Sequence, residues 1–296
     1  MAKYLTPAVT PLYRGDIDYD SCKKLYDHLI DGGVDGILIL GSIGEFFALT
    51  LEQKKKLAKF AYEYINGRCK LIVGTTSMIY NEIVEFSNYC YSIGIESVMI
   101  IPPFYFHFND DEIFKYYYEL NLDLNGQFYL YNFPDRCGYE ISVDVIERLV
   151  KNCPKIIGIK DTIPGMEHTK EIIDRIKPIN PFFEVYSGFD NNFLDNALAG
   201  GDGCIAGLSN IYPNLTSSLV KAFNEKNIEC AKTLQTKINK LMPIYNVGKP
   251  FVPYIKGALN IKKIIRCVDA TFPMPMVETI TFEKIRIIME EYENEA

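Results

Sequence analysis

A lysine ends one apolar run of this sequence, and a tyrosine ends the run before it. The stretch "IIGIKDT" has Lys160 after three isoleucines, and "YLYNFPDRCG" has Tyr131 at the matching point. A lysine attacks a carbonyl carbon only as the free amine, which an apolar surround favours over the ammonium. A phenol that is held correctly can shuttle a proton. Lys160 and Tyr131 are therefore candidates for nucleophilic and proton-transfer chemistry, although Lys160 could also simply reach solvent or pair with Asp161.

Eight short apolar runs, separated by helical patterns, predict the elements that position this pair. The runs are "YLTPAVTPL", "GVDGILILG", "KLIVGTT", "SVMIIPP", "QFYLYN", "IIGIKDT", "FEVYSG" and "GDGCIAG". Their continuous apolar character is typical of parallel strands buried on both faces, and the long gaps suit helical crossovers. One of those helices is indicated by Thr50 and Gln53, which have the spacing of a capping box.

This alternation predicts an α/β fold, a (β/α)8 or TIM barrel over residues 1–226, because eight repeats within about 225 residues match a barrel better than a six-stranded open sheet. Residues 227–296 contain helical patterns only. We expect them to form a C-terminal helical extension packed on the barrel rather than a separate domain.

A barrel brings the carboxyl ends of its strands to one face, where the active sites of such folds lie. Lys160 ends the sixth predicted strand and Tyr131 the fifth, and adjacent strands lie about 4.8 Å apart. The second strand runs into "GSIGEF", whose glycines leave backbone N–H groups open and whose Ser42 supplies a hydroxyl. Such a turn can hold a carboxylate, or it can be only a tight connection between strand and helix.

Composition excludes several classes of function. The 296 residues include 31 basic and 38 acidic side chains, a net charge of −7, with no basic run for a nucleic acid. No apolar stretch reaches the roughly 18 residues of a membrane span, and the N-terminal residues lack the pattern of a signal peptide, so we expect a cytoplasmic protein. Eight isolated cysteines and three histidines do not suggest a metal site.

Several motifs together resemble those of the dihydrodipicolinate synthase and N-acetylneuraminate lyase family of pyruvate-dependent class I aldolases. "GSIGEF" is similar to the family's glycine-rich turn, "YNFPDRCG" to its tyrosine motif and "GIKDT" to its Schiff-base lysine strand. "YSGFD", "AGGDGCIAG" and "KPFVPYIKGAL" also fall in the family's order and spacing. The resemblance covers nearly the whole chain.

The resemblance implies a mechanism without a further cofactor. Lys160 would form a covalent imine with pyruvate or with another 2-oxo acid, and Tyr131 would take the hydroxyl proton as the carbon–carbon bond breaks. An aldehyde would be the second product, and condensation would follow the same path backwards.

The resemblance also implies roles for four further residues. Ser42 and Tyr105 match the proton-relay positions of the family, and the equivalent of Tyr105 in the synthases reaches in from a neighbouring subunit. A homodimer or homotetramer is therefore expected. Gly188 and Ile205 match the positions that shape the pyruvate pocket.

Two residues depart from the family pattern. Ile43 stands where a second hydroxyl residue is usual in the substrate-binding turn, so backbone N–H groups would have to hold the carboxylate of pyruvate. Cys137 stands where threonine or serine usually precedes Gly138.

Features of the sequence favour different substrates. "YNFP", "GSIGEF" and "GIKDTIPGMEHT" are most similar to the 2-keto-3-deoxy-sugar-acid aldolases, which implies cleavage of the gluconate or galactonate compound to pyruvate and glyceraldehyde. Arg136 instead matches the position where the synthases bind a second carboxylate, although it could also pair with Asp135. His168 could approach a sugar hydroxyl or be bonded locally. The activity of an N-acetylneuraminate lyase also fits the family motifs, and Ile43 leaves room for a noncatalytic barrel that only binds pyruvate.

Overall fold

A computed structural model describes residues 1–294 and contains a closed barrel of eight parallel strands. The strands follow one another around the barrel in chain order, and the last pairs with the first through Tyr4 and Cys204. They are β1 (Lys3–Pro7), β2 (Gly36–Ile39), β3 (Lys70–Gly74), β4 (Ser97–Ile100), β5 (Gln127–Asn132), β6 (Ile156–Asp161), β7 (Glu184–Ser187) and β8 (Gly203–Ile205). The predicted (β/α)8 fold is confirmed, and each predicted run contains one strand.

The strands form because their apolar side chains are buried on both faces. Every residue of β2 and β4 is buried. Since successive side chains point to opposite faces, one set fills the barrel and the other packs under the helices. The first strand is shorter than the run "YLTPAVTPL", because it ends at Pro7 and the chain then forms a small hairpin between Leu12–Tyr13 and Asp16–Ile17.

Helices cover the outside of the barrel. They are α1 (Tyr19–Asp31), α2 (Leu51–Ile65), α3 (Tyr80–Ser92), α4 (Asp110–Asp123), α5 (Pro134–Cys137), α6 (Val143–Asn152), α7 (Glu167–Ile176), α8 (Phe193–Leu198) and α9 (Pro213–Asn224). At the start of α2, Thr50 and Gln53 form both reciprocal hydrogen bonds of the predicted capping box. Among residues 1–294, no helix is long and apolar enough to cross a membrane.

Three helices follow the barrel: α10 (Ile228–Leu241), α11 (Val252–Ile261) and α12 (Thr279–Glu293). Ile285 and Met289 of α12 are buried. A Cβ on Gly257 would lie 2.8 Å from Cδ1 of Ile285, so this glycine lets α11 and α12 approach closely. The ring of Tyr292 lies 4.6 Å from that of Tyr212, which precedes α9. Residues 295 and 296 of the predicted extension lie outside the described residues.

A charged cluster closes the amino-terminal end of the barrel. Glu184 accepts hydrogen bonds from Nζ of Lys3 at 2.7 Å and from Nζ of Lys70 at 3.0 Å. Tyr129 also donates to Glu184, and Lys70 lies 2.6 Å from the Tyr129 hydroxyl. Burial alone would raise the pKa of Glu184, but the bonds from Lys3, Tyr129 and Lys70 lower that pKa to about 2. One carboxylate therefore pairs with two ammonium groups at the end of the barrel that typically serves stability.

Candidate active site

Lys160 and Tyr131 lie side by side at the carboxyl ends of β6 and β5. The register of the two strands pairs them directly. Nζ of Lys160 lies 3.2 Å from the Tyr131 hydroxyl and 4.3 Å from the centroid of the same ring. Lys160 is 5% exposed, and it takes part in none of the ion pairs of residues 1–294. The amine is thus buried beside a phenol, the arrangement expected of a nucleophile with a proton-transfer partner.

Thr162 was missed by the sequence reasoning, although it stands two residues after Lys160 and residues two apart in an extended chain share a face. Its hydroxyl is buried and has no hydrogen-bond partner within the described chain. A Cβ on Gly188 would lie 1.9 Å from Oγ1 of Thr162, so only glycine fits there. A buried hydroxyl without a partner is costly, and a polar ligand atom could satisfy it.

The "GSIGEF" turn follows β2 at the same end of the barrel. The N–H of Glu45 donates to the carbonyl oxygen of Ser42 at 3.2 Å, and the Thr10 hydroxyl donates to that of Gly44 at 2.7 Å. Glu45 has φ +59°, in the left-handed region that non-glycine residues rarely adopt. The turn is therefore tight, with Ser42 half-buried. Its binding of a carboxylate stays a prediction.

Ile43 and Ile205 belong to neighbouring parts of this end of the barrel. A Cβ on Gly207 would lie 2.8 Å from Cδ1 of Ile43, so the Ile43 side chain packs over the turn that follows β8. Ile205 ends β8, is fully buried and pairs with Leu5 of β1. Both residues supply apolar surface near the strand ends.

Asp190, in the "YSGFD" motif, holds the turn after β8 through hydrogen bonds. It accepts hydrogen bonds from the hydroxyls of Tyr4 at 2.5 Å and Tyr245 at 2.7 Å, and from the N–H of Leu208 at 2.9 Å. Burial, the largest effect, raises the pKa of Asp190 in spite of these bonds. The motif thus has a structural role that its residue types did not reveal.

A second buried network joins β5, β6 and α7. Asp161 accepts hydrogen bonds from Nδ2 of Asn132 at 2.7 Å and from the Thr169 hydroxyl at 2.6 Å. Nδ1 of His168 lies 3.1 Å from Asp161, and its Nε2 lies 3.1 Å from the carbonyl oxygen of Ile141. Burial alone would lower the pKa of His168, but its hydrogen bond with Asp161 and the charge of Asp161 raise that pKa. His168 is bonded locally, so neither ring nitrogen is free for a sugar hydroxyl.

Arg136 is exposed in the short helix α5. Its guanidinium carbon lies 5.3 Å from the centroid of the Phe133 ring. No ion pair within residues 1–294 involves Arg136, so it does not pair with Asp135. The side chain is available to a ligand.

Tyr105 is not brought to Lys160 within one chain. It lies in the loop after β4, is 80% exposed and stacks edge-on with Phe106. Its predicted role in the site is therefore one that only a second subunit could test.

Comparison with known proteins places this geometry in a family. Residues 1–291 match the model of the dihydrodipicolinate synthetase family. The chain belongs to this family. The predicted resemblance is thereby confirmed, and the chain is an enzyme of the pyruvate aldolase and lyase type.

Relatives from bacteria carry different names. The probable 2-dehydro-3-deoxy-D-pentonate aldolase YjhH of Escherichia coli K12 is 32% identical over 257 residues, which are 86% of this chain and 85% of that protein. The putative 2-dehydro-3-deoxy-D-gluconate aldolase YagE of the same organism is 30% identical over 86% and 85%. A 4-hydroxy-tetrahydrodipicolinate synthase of Hydrogenobaculum sp. is 27% identical over 97% of each chain.

Solved structures of the family superpose closely on the barrel. The crystal structure of YagE from E. coli K12 in complex with pyruvate has a TM-score of 0.96 at 27% identity, covering 99% of this chain and 98% of that one. A dihydrodipicolinate synthase from Aquifex aeolicus has a TM-score of 0.92 at 24% identity and covers 99% and 98%, a likeness of fold.

Proposed function

We propose that this protein is a Schiff-base-forming aldolase that reversibly cleaves a 2-keto-3-deoxy sugar acid, of the gluconate or galactonate type, to pyruvate and an aldehyde. The observation that carries the proposal is the buried amine of Lys160 at 3.2 Å from the Tyr131 hydroxyl, with no ion pair to a carboxylate in the described chain. No cofactor is needed, because Lys160 and the substrate themselves form the covalent imine.

The first step joins substrate and enzyme. The neutral amine of Lys160 attacks the C2 ketone of the sugar acid, and the carbinolamine loses water to give a cationic imine. The Tyr131 hydroxyl, which lies beside Nζ, donates the proton that leaves with this water, and the resulting phenolate can accept the proton of the next step. The imine then accepts the electron pair of the bond that breaks next.

The second step breaks the C3–C4 bond. Tyr131 takes the proton of the C4 hydroxyl, the aldehyde leaves and an enamine of pyruvate remains on Lys160. Protonation at C3 and hydrolysis of the imine release pyruvate and restore the amine. Condensation is the same sequence reversed.

The turn and the strand ends bind the rest of the substrate. The backbone N–H groups at Ser42 and Ile43 hold the carboxylate of pyruvate, since Ile43 has no hydroxyl to offer. Ser42 takes part in the proton relay. Gly188 and Ile205 shape the pyruvate pocket, and the buried hydroxyl of Thr162, which lies against Gly188 and has no hydrogen-bond partner in the described chain, could accept a polar substrate atom.

Tyr105 completes the site of a neighbouring subunit in a homodimer or homotetramer. Support comes from a set of exposed apolar side chains in the loops after β2, β3 and β4, which neighbour one another at the carboxyl-terminal face. The set comprises Phe47, Met78, Ile79, Tyr105 and Phe106. Exposed apolar surface of this kind favours association with another copy.

The sugar-acid substrate is favoured by the "GIKDT" stretch and by the names of YjhH and YagE. The second candidate, condensation of pyruvate with aspartate semialdehyde by a 4-hydroxy-tetrahydrodipicolinate synthase, is favoured by Arg136. Its exposed guanidinium has no ion pair in the described chain and could bind a second carboxylate through two parallel hydrogen bonds.

Assays on the two substrate classes separate these candidates. We expect release of pyruvate from 2-keto-3-deoxygluconate or 2-keto-3-deoxygalactonate, followed by reduction of the pyruvate with lactate dehydrogenase. Turnover of pyruvate with aspartate semialdehyde and none of the sugar acids would instead support the synthase. Silence on both classes would contradict the proposed activity.

A further inference from the structure

A fully buried ion pair joins the "GSIGEF" turn to the C-terminal helices. Nζ of Lys256, on α11, contacts Oε1 of Glu45, and both side chains are 0% exposed. Nζ of Lys256 also donates to the carbonyl oxygen of Asp269 at 2.7 Å. The other carboxylate oxygen of Glu45 accepts from both the N–H and the hydroxyl of Thr271, at 2.7 and 2.8 Å. The carboxylate is therefore held on both sides by the C-terminal part of the chain.

Burial of this ion pair costs free energy, and the fold could be stabilised without it. Two charges must leave water, and an apolar pair of similar size is often at least as stable. Burial lowers the pKa of Lys256 even though the charge of Glu45 opposes the shift. Glu45 also has φ +59°, a backbone conformation in which a non-glycine residue persists only when its surroundings hold it.

The Glu45 backbone connects the pair to the substrate-binding turn. Its N–H closes the turn on the carbonyl oxygen of Ser42 at 3.2 Å. Any shift of the Glu45 side chain therefore moves the backbone that presents the N–H groups at Ser42 and Ile43. We propose that Lys256 is a positioning residue, which fixes this turn through Glu45 and so sets the affinity for the carboxylate of pyruvate.

The inference rests on the proposed function and adds a role for the C-terminal extension. Asp269, whose carbonyl meets Lys256, also accepts a hydrogen bond from the N–H of Arg14 at 2.9 Å and forms a β-bridge with Leu12. The segment that contacts Glu45 is thus itself anchored to the barrel at the hairpin after β1. The extension holds a part of the site as well as covering the barrel.

The test measures covalent trapping of pyruvate by sodium borohydride at a series of pyruvate concentrations. Lys256→Met keeps the length of the side chain and removes its charge. We expect the pyruvate concentration for half-maximal trapping to rise about tenfold or more, because small displacements of binding groups have effects of up to about 10²-fold. The maximal rate of trapping should stay within about threefold, since Lys160 and Tyr131 are untouched.

Lys70→Met is the matched control, because it breaks an ion pair at the opposite end of the barrel. It should lower the midpoint of thermal unfolding and leave half-maximal trapping unchanged. An equal change in both variants, or an unchanged half-maximal concentration in Lys256→Met, would overturn the positioning role.

Two further measurements keep the inference testable. Thr271→Val removes one hydrogen bond to Glu45 without leaving a buried charge unpaired, and it should raise the half-maximal concentration about threefold to tenfold. It decides the matter if Lys256→Met does not fold, and a wild-type value would then overturn the proposal. Hydrogen exchange of residues 42–45 should be faster in both variants and unchanged in Lys70→Met.

Exchange also separates this inference from the proposed function. If pyruvate and borohydride give no adduct on the wild-type protein, the aldolase mechanism fails. The rate of hydrogen exchange at residues 42–45 then decides the role of Lys256 by itself. Faster exchange would then support it, and wild-type exchange in Lys256→Met and Thr271→Val would overturn it.

Discussion

The two ends of the barrel each contain a lysine beside a tyrosine, but only one of these lysines forms an ion pair with a carboxylate. At the amino-terminal end, Lys70 lies 2.6 Å from the Tyr129 hydroxyl and 3.0 Å from Glu184. At the carboxyl-terminal end, Lys160 lies 3.2 Å from the Tyr131 hydroxyl and takes part in no ion pair of the described chain. The same residue types therefore form an ion-paired cluster at one end and a buried amine without an ion pair at the other.

The difference indicates which end is built for stability and which for chemistry. A charged lysine is stabilised by a nearby carboxylate, which makes it a poor nucleophile. Burial of an amine without that partner costs stability and is typical of functional sites, where stability is given up for activity. Variants that remove one lysine, tyrosine or carboxylate at a time should therefore affect activity at one end and stability at the other.

The largest effect is expected from Lys160→Met. Turnover should fall by about 10⁴-fold or more, because the covalent nucleophile is lost. The midpoint of thermal unfolding should stay equal or rise, since methionine replaces a buried amine that has no ion pair. Steady-state kinetics and thermal unfolding measure the two quantities.

Lys70→Met is the reciprocal control for that variant. It should retain turnover and lose stability, because Glu184 loses a cationic partner. Loss of turnover in both variants, or loss of stability in Lys160→Met alone, would contradict the division between the two ends.

The next largest effect is expected from Tyr131→Phe. Turnover should fall by about 10²- to 10⁴-fold, the usual contribution of a proton-transfer group. Trapping of pyruvate at Lys160 should persist, more slowly, because the amine is unchanged. Wild-type turnover would remove Tyr131 from the mechanism, and Tyr129→Phe, at the other end, serves as the control for loss of a buried phenol hydroxyl.

A smaller effect, on stability, is expected from Glu184→Gln. The folded state lowers the pKa of Glu184 from 4.5 to about 2, so the ionised carboxylate favours folding. This contribution, about 3 kcal/mol, is fully present above the unfolded pKa and is lost as the pH falls towards the folded value. The thermal midpoints of Glu184→Gln and wild type should therefore differ most near pH 7 and converge at low pH. A difference that does not depend on pH would contradict the charge-based account.

The smallest effect is expected from Arg136→Ala on sugar-acid cleavage. The side chain is exposed and has no ion pair in the described chain, so turnover should change by less than about threefold. Condensation with aspartate semialdehyde, assayed in parallel, should instead fall sharply if that is the true reaction. A loss of sugar-acid cleavage above about tenfold would show that Arg136 binds this substrate.

The reactive pair could be predicted from the sequence, because strand ends in a parallel barrel meet at one face. Lys160 and Tyr131 each end an apolar run, and the observed register pairs them directly. Thr162 could have been found by the same two-residue alternation. The eight strands could also be predicted, because a strand that is buried on both faces is a continuous apolar run in the local sequence.

The supporting residues could not be predicted, because their partners are distant in the chain. Glu45 lies 211 positions before Lys256 and 226 positions before Thr271. Nothing in the local pattern of "GSIGEF" or "KPFVPYIKGAL" indicates that their charges meet. Tyr105 is a different case, because its predicted role requires a second subunit.

Treatment with pyruvate and sodium borohydride, followed by peptide mass spectrometry, tests the central claim most directly. The account predicts a reduced pyruvyl adduct on Lys160 and none on Lys70. A folded protein that forms no adduct, or that carries it on another lysine, would contradict the assignment of Lys160 as the Schiff-base nucleophile.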